Sequence, residues 1–409
     1  MNPSPAAARL PWPMIAAACA ILLITMGARQ TIGLFVAPLD AATGLGIVSI
    51  SLAVAIGQFV WGVAQPVFGA VADRYGPGRV IAFGGIMLAL GTATTPFVRS
   101  EWGLVGTLGI VSAFGAGAGS LSILIGSVMQ RLPGERRSFA AGVINAGGSL
   151  GQFVFAPIVQ LAILGIGWIA AMIGVAAATL LTLPLALAMR RQPAAGPATR
   201  AAAAEPGQTL GQQLKQAAAD RSYWWLHLGF FTCGFHVAFL VTHLPGEVRL
   251  CGLSPVIGAN SIAIIGLANV AGSLGVGWLG TRFRLKHLLA FVYLGRATAI
   301  LCFLAAPKTA TTFYVFALAL GMTWLATLPP TAGIVAKLFG TRYLATLIGL
   351  TLLTHQLGAF YGAWLGGLVV AHTGDYTWMW YADAALAAFA ALINLPIREA
   401  PVVRAAATA

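Results

Sequence analysis

Residues 46–79 read GIVSISLAVAIGQFVWGVAQPVFGAVADRYGPGR, and the fold turns on this stretch. From Ser49 to Val71 it carries no Asp, Glu, Lys or Arg. A helix rises about 1.5 Å per residue, so roughly 20 apolar residues cross the hydrocarbon layer of a membrane. Charge returns with Asp73 and Arg74, and Gly76-Pro77-Gly78 turns the chain before the next apolar run. The stretch predicts a spanning helix, a short loop at the membrane surface and the start of a second span.

Working outward, the pattern recurs along the whole chain. Candidate spans lie near 14–38, 49–71, 80–98, 103–128, 139–163 and 167–189, then near 223–247, 256–280, 287–306, 311–335, 344–371 and 377–396. Between the two sets runs a polar stretch, Arg190 to Ser222, rich in Ala, Pro, Gln and charge. The expectation is an all-α membrane protein of twelve transmembrane helices in two pseudo-symmetric six-helix bundles. Residues 1–189 form the first bundle, 190–222 a cytoplasmic linker and 223–409 the second bundle. Composition agrees: 59% of residues are hydrophobic and 8% charged, whereas a water-facing domain carries about 25% charged residues. The first run contains Arg29 and leads directly into the second, so it reads as a retained helix and not a cleaved signal.

The net charge of +13 is placed by the same spans. With twelve spans and both termini cytoplasmic, 18 Lys and Arg residues fall on the cytoplasmic side and only Arg99, Arg249 and Lys308 outside. Basic loops against anionic lipid account for the charge, so no nucleic-acid partner is expected. The chain is read as a multi-pass protein of the cell inner membrane, a monomer in the lipid bilayer. Cys19, Cys233, Cys251 and Cys302 are scattered, without metal or disulfide spacing. The glycine-rich run from Gly115 to Gly126 lacks the lysine of a phosphate loop and reads as close helix packing. No metal constellation and no nucleophile with a base appears, so neither an enzyme nor a cofactor is expected.

A shift of 208 residues superposes the second spans of the two halves: Gly44-Leu45 on Gly252-Leu253, Val48 on Val256, Gly69 on Gly277 and Arg74 on Arg282. Such a duplication suits a transporter whose substrate sits between its halves near the midplane. The loop Gly69-x-x-x-Asp73-Arg74-x-Gly76, closed by Arg79, in a chain of six spans, linker and six spans, resembles the major facilitator superfamily. That resemblance implies a gating role for the loop, with Asp73 meeting a helix N-terminus when the cytoplasmic side is closed. Thr281 replaces the acid in the second copy. Further runs, Gly33-Leu34-Phe35-Val36-Ala37-Pro38-Leu39, Gln65-Pro66 and Gly147-Gly148-Ser149-Leu150-Gly151-Gln152, resemble bacterial relatives of monocarboxylate porters and oxalate–formate exchangers. The chain departs from that branch in having no charge within 256–280 and no arginine within 103–128.

An ionisable group inside a membrane is costly, so each one needs a partner or a task. Three full charges qualify: Arg29, Arg296 and Asp383. Arg29 lies about 22 Å along the first span, in the polar run Gly27-Ala28-Arg29-Gln30-Thr31, on the helix that the resemblance places against the cavity. A guanidinium grips a carboxylate with two hydrogen bonds, so Arg29 and Gln30 are expected to bind an anionic substrate; the other reading is a structural arginine inside the first bundle. Arg296 and Asp383 come to similar depth on helices that the resemblance puts at the periphery, and are expected to form a structural ion pair. His236, near the repeat equivalent of Arg29, is expected across the cavity as a substrate ligand or proton carrier, with His243 two turns on. His355 and Gln356, where the resemblance puts a substrate-binding lysine, together with Asn145, Trp324 and Tyr361, complete the candidate substrate site. Gln58, Gln152 and Asn269 read as cavity residues or as glue between helices.

Two functions compete on these residues. One is a secondary active transporter that moves a small organic anion, a carboxylate, by alternating access, with protons as a further partner. The other is an efflux exporter of larger amphipathic compounds, in which Arg29 is structural.

Overall fold

The computed structural model describes residues 12–129, 134–189, 209–340 and 343–401, which form helices with no strand among them. The first half holds α1 (Trp12–Gln30), its short continuation α2 (Gly33–Thr43), α3 (Gly46–Tyr75), α4 (Pro77–Thr94), α5 (Glu101–Val128), α6 (Gly134–Ile166) and α7 (Trp168–Ala188). A short helix, α8 (Leu210–Ala219), precedes the second half. That half holds α9 (Arg221–Leu250), α10 (Pro255–Leu279), α11 (Leu285–Ala305), α12 (Ala310–Phe339), α13 (Leu344–Thr373) and α14 (Thr377–Asn394).

Among the described residues, 10 helices are long and apolar enough to cross a membrane. The twelve expected spans are therefore met in ten. The other two, α13 and α14, are long enough but are not among the ten. Both still pack as the others do, α13 against α9 and α3, and α14 against α11.

Local chemistry sets the helix ends. Asp220 accepts the amides of Ser222 and Tyr223 at 2.8 and 3.2 Å and caps α9. Thr209 and Gln212 cap α8 reciprocally. Gly44 and Gly252, the pair that the 208-residue shift superposes, both take left-handed backbone, with φ of 65° and 70°. An L side chain avoids that region, so both turns need glycine. Two helices are irregular: α5 is π-helical from Val105 to Ser112, and α12 unwinds between Thr323 and Leu328, just ahead of Pro329-Pro330. Proline offers no amide, so the carbonyls of the preceding turn lose their helical partners.

Small residues let the helices touch backbone to backbone. Gly151 lies against the Leu23 carbonyl, and Gly358 and Gly362 lie against the carbonyls of Phe231 and Phe235, leaving no room for a Cβ. The buried apolar residues divide by depth. On the side where α7 ends and α9 begins, each half has its own core: Met14, Leu124 and Met189 in the first, Tyr223, Leu338 and Ile397 in the second. On the opposite side one core runs through both halves, joining Leu34, Leu39 and Val159 to Phe239, Leu244 and Trp380. The halves thus meet at one end and are packed separately at the other.

Candidate functional site

Arg29 stands in the last turn of α1. Its Nη2 donates to Oε1 of Gln58 at 2.6 Å, and its guanidinium lies 4.2 Å from the centre of the Trp61 ring. Gln58 and Trp61 are three residues apart on α3 and so share a face. Against them lies a cavity of about 60 Å³, whose polar lining is Arg29, Gln58, Thr92, Thr95 and Ser112. All of its lining belongs to the first half. The Thr92 and Ser112 hydroxyls are 3.4 Å apart, and Ser112 closes the π-helical stretch of α5. Ion pairs among the described residues join His236 to Asp383, Lys337 to Glu399 and Arg398 to Asp220, so Arg29 has no carboxylate partner among them. An amide oxygen and an aromatic face orient the cation without neutralising it. Chemically, the arrangement leaves guanidinium donors beside a partly hydroxyl-lined cavity.

The rest of the expected constellation is dispersed. Gln30 is part-buried and does not line the cavity. His236 does not face Arg29: it is buried inside the second half, with Nδ1 2.5 Å from Oδ2 of Asp383 on α14. The expected Arg296–Asp383 pair is not formed. Arg296 instead gives Nη2 to the carbonyls of Thr323 and Trp324, at 2.6 and 2.9 Å. The reason lies in α12, where the amide of Leu328 turns to Leu325 at 3.0 Å and leaves the Trp324 carbonyl free. A buried cation satisfies freed carbonyls well, and Asp383 takes the histidine.

Trp324 is fully buried beside His236, the rings 5.6 Å apart. His355 Nδ1 meets Nε2 of Gln356 at 3.1 Å, and the Gln356 chain lies so close to Gly62 on α3 that a Cβ there would clash. Gln356 is thus a contact between the halves. So is Asn269, whose Nδ2 donates to Ser149 Oγ at 2.8 Å while its Oδ1 accepts the Leu325 amide at 2.9 Å. Gln152 is buried next to Gly266 across the same interface. Asn145 is part-buried on α6 one turn before Ser149, and Tyr361 is exposed on α13. His243 bonds the Tyr376 hydroxyl at 3.2 Å and the Ala363 carbonyl at 2.8 Å, deep in the second half.

In the loop motif, Gly76 takes φ of 91° and Pro77 opens α4. Gly69 faces open space, and Arg74 and Arg79 are exposed. Arg74 stacks on Tyr75 at 5.4 Å, as its repeat partner Arg282 stacks on Trp278 at 4.4 Å. The Asp73 side chain lies outside the described residues. Sequence reasoning missed Trp61, Thr92 and Ser112 beside Arg29, and the His236–Asp383 pair. The spacing of Gln58 and Trp61 and the Pro329-Pro330 break were visible signals; the pairing of α9 with α14 left none.

Residues 18–363, and again 262–408, match the sequence profile of the Major Facilitator Superfamily. The chain belongs to that superfamily. Over 94% of its length this transporter is 26% identical to monocarboxylate transporter 13 of Bos taurus, covering 89% of that protein. It is 23% identical to the oxalate:formate antiporter of Oxalobacter formigenes over 87% of its own length and 84% of that protein. In fold it matches the crystal structure of a D-xylose-proton symporter with a TM-score of 0.75, at 15% identity, over 96% of this chain and 99% of that one. The relatives are transporters, not enzymes, as the sequence reading expected.

Proposed function

We propose that this transporter moves a small organic anion, a carboxylate, across the cell inner membrane by alternating access between its two halves. In this reading residues 1–189 and 223–409 are the two bundles, all twelve long helices span the bilayer, and the termini and the 190–222 linker are cytoplasmic. The end at which the halves pack separately is then the cytoplasmic one, so the state described is closed to the outside. The protein acts as a monomer, and protons are a second partner.

One observation carries the substrate class: Arg29 is a cation without a carboxylate partner among the described residues, oriented by Gln58 and Trp61 on a hydroxyl-lined cavity. A carboxylate there accepts the remaining guanidinium donors. The cavity volume of about 60 Å³ supports a small acid over a large amphipathic compound. The monocarboxylate and oxalate:formate relatives support the same class.

The test is binding and uptake of labelled formate, acetate, lactate and oxalate by the protein in liposomes, wild type against Arg29→Gln. A charge-assisted hydrogen bond contributes about 1.5–3 kcal/mol, so the variant should lose roughly tenfold to hundredfold in affinity. No affinity for any of these acids, or unchanged affinity in a folded variant, would sink the proposal.

A further inference from the structure

Inside the second half, polar groups that the Arg29 cavity does not use form one connected cluster. His236 and Asp383 are 0% and 1% exposed, and their facing atoms are 2.5 Å apart. At that separation one atom carries a proton and the other accepts it. The second ring nitrogen of His236, Nε2, meets no protein hydrogen-bond partner. With the shared proton on Nδ1, Nε2 is a free basic lone pair in the bundle interior.

The groups around the ring come from four helices. Asp383 faces it from α14 and Arg296 from α11; the Trp324 ring of α12 meets it edge-on. Cys233, one turn earlier on α9, reaches the Trp324 carbonyl at 3.7 Å and the Thr327 hydroxyl at 3.5 Å, and His355 of α13 packs against the adjoining Gly234. One carboxylate, one guanidinium and a neutral imidazole together carry no net charge. An arginine–aspartate pair would hold a single charge state, but Arg296 directs Nη2 to two carbonyls and forms no ion pair with Asp383 among the described residues. The carboxylate's partner is instead the side chain whose charge changes near neutral pH. Static interiors pair nearly all their polar groups; here Nε2 of His236, Nε and Nη1 of Arg296 and Nε1 of Trp324 all lack a protein partner.

We infer that His236 and Asp383 form a proton-binding site in the second half, with Nε2 as the atom that takes up the proton and Asp383 as the counter-charge of the imidazolium. Uptake forms one N–H bond and leaves the cluster with one positive charge. That charge repels Arg296, which holds the unwound turn of α12, and the amide of Leu325 in that turn is bonded through Asn269 to Ser149 of the first half. Protonation therefore loads a contact between the halves. Coupling it to substrate rests on the proposed carboxylate transport; the site itself does not.

Protein with ¹⁵N-labelled histidine in lipid nanodiscs, followed by magnetic resonance without substrate, reads the site directly. As the pH is lowered from about 8 to about 5, one imidazole signal should change from the neutral to the doubly protonated form, be missing from the spectrum of His236→Gln, and change at a different pH in Asp383→Asn. If Asp383→Asn does not fold, the titration and its assignment by His236→Gln still decide. A His236 ring that keeps one protonation state across that window overturns the inference, as does a midpoint indifferent to Asp383→Asn in folded protein. A negative result with labelled carboxylates in the wild type leaves this reading intact and removes only its link to substrate.

Discussion

At the scale of single residues, two arginines in similar sequence settings, one half-buried and one buried, have different partners. Arg29 meets an amide and an aromatic ring, and in the proposed function its remaining donors meet the anion. Arg296 closes the carbonyl end of a broken helix. Replacing Arg296 with Met should lower stability by about 1.5–3 kcal/mol for each charged hydrogen bond lost, read as an earlier unfolding temperature in detergent. Glu399 gives a pH dependence of known sign. Burial pushes its carboxyl up, but the Lys286 amide at 2.7 Å and the Lys337 ammonium at 2.9 Å outweigh this and hold it below the usual carboxylate range. A carboxyl depressed in the folded state adds stability that is full above its unfolded value and is lost as pH falls through the folded one. The unfolding temperature of the wild type should therefore drop below about pH 4.3 more steeply than that of Glu399→Gln. The difference should stay under about 1 kcal/mol, because Lys337 is largely exposed.

Among elements, glycine decides how near two helices come. α9 and α13 touch at Gly234, Gly358 and Gly362, each against a backbone carbonyl of the other helix. Gly358→Leu should cost about 1–3 kcal/mol through overpacking, measured as lost thermal stability, while the same change at the open Gly349 should cost far less. The two irregular helices answer to different sequence signals. The α12 break is announced by Pro329-Pro330, because missing amides release carbonyls that must find other donors. The π-helical stretch of α5 has no such mark in Val105–Ser112, since one residue more per turn needs no special side chain. Ser112 nevertheless reaches the Arg29 cavity from that stretch.

For the whole molecule, the halves share a core at one end and have separate cores at the other, which under the proposed alternating access is one station of a moving pair of bundles. Gln152→Cys and Gly266→Cys, in a background without the four native cysteines, should cross-link once α6 and α10 ease apart slightly: a Cβ on Gly266 would lie 2.7 Å from the Ser149 carbonyl and 3.0 Å from the Cβ of Gln152, short of the usual disulfide spacing. The cross-linked protein should lose most of its transport and regain it on reduction; transport that survives cross-linking would show that α6 and α10 need not part. Hydropathy by itself marked a helical membrane protein, because lipid leaves so few ways to bury a backbone, and the loop of Gly69 to Arg79 carried the resemblance to the Major Facilitator Superfamily that the profile match shows. Arg29 was legible as a candidate anchor because a charge in so apolar a run is conspicuous. Its companions Thr92 and Ser112 were not, since which face of each helix meets the cavity depends on neighbours far along the chain. Only the tertiary structure could decide the partner of Asp383. Depth along two helices places Arg296 near it, but rotation about their axes, and carbonyls freed by a break in a third helix, give the carboxylate to His236.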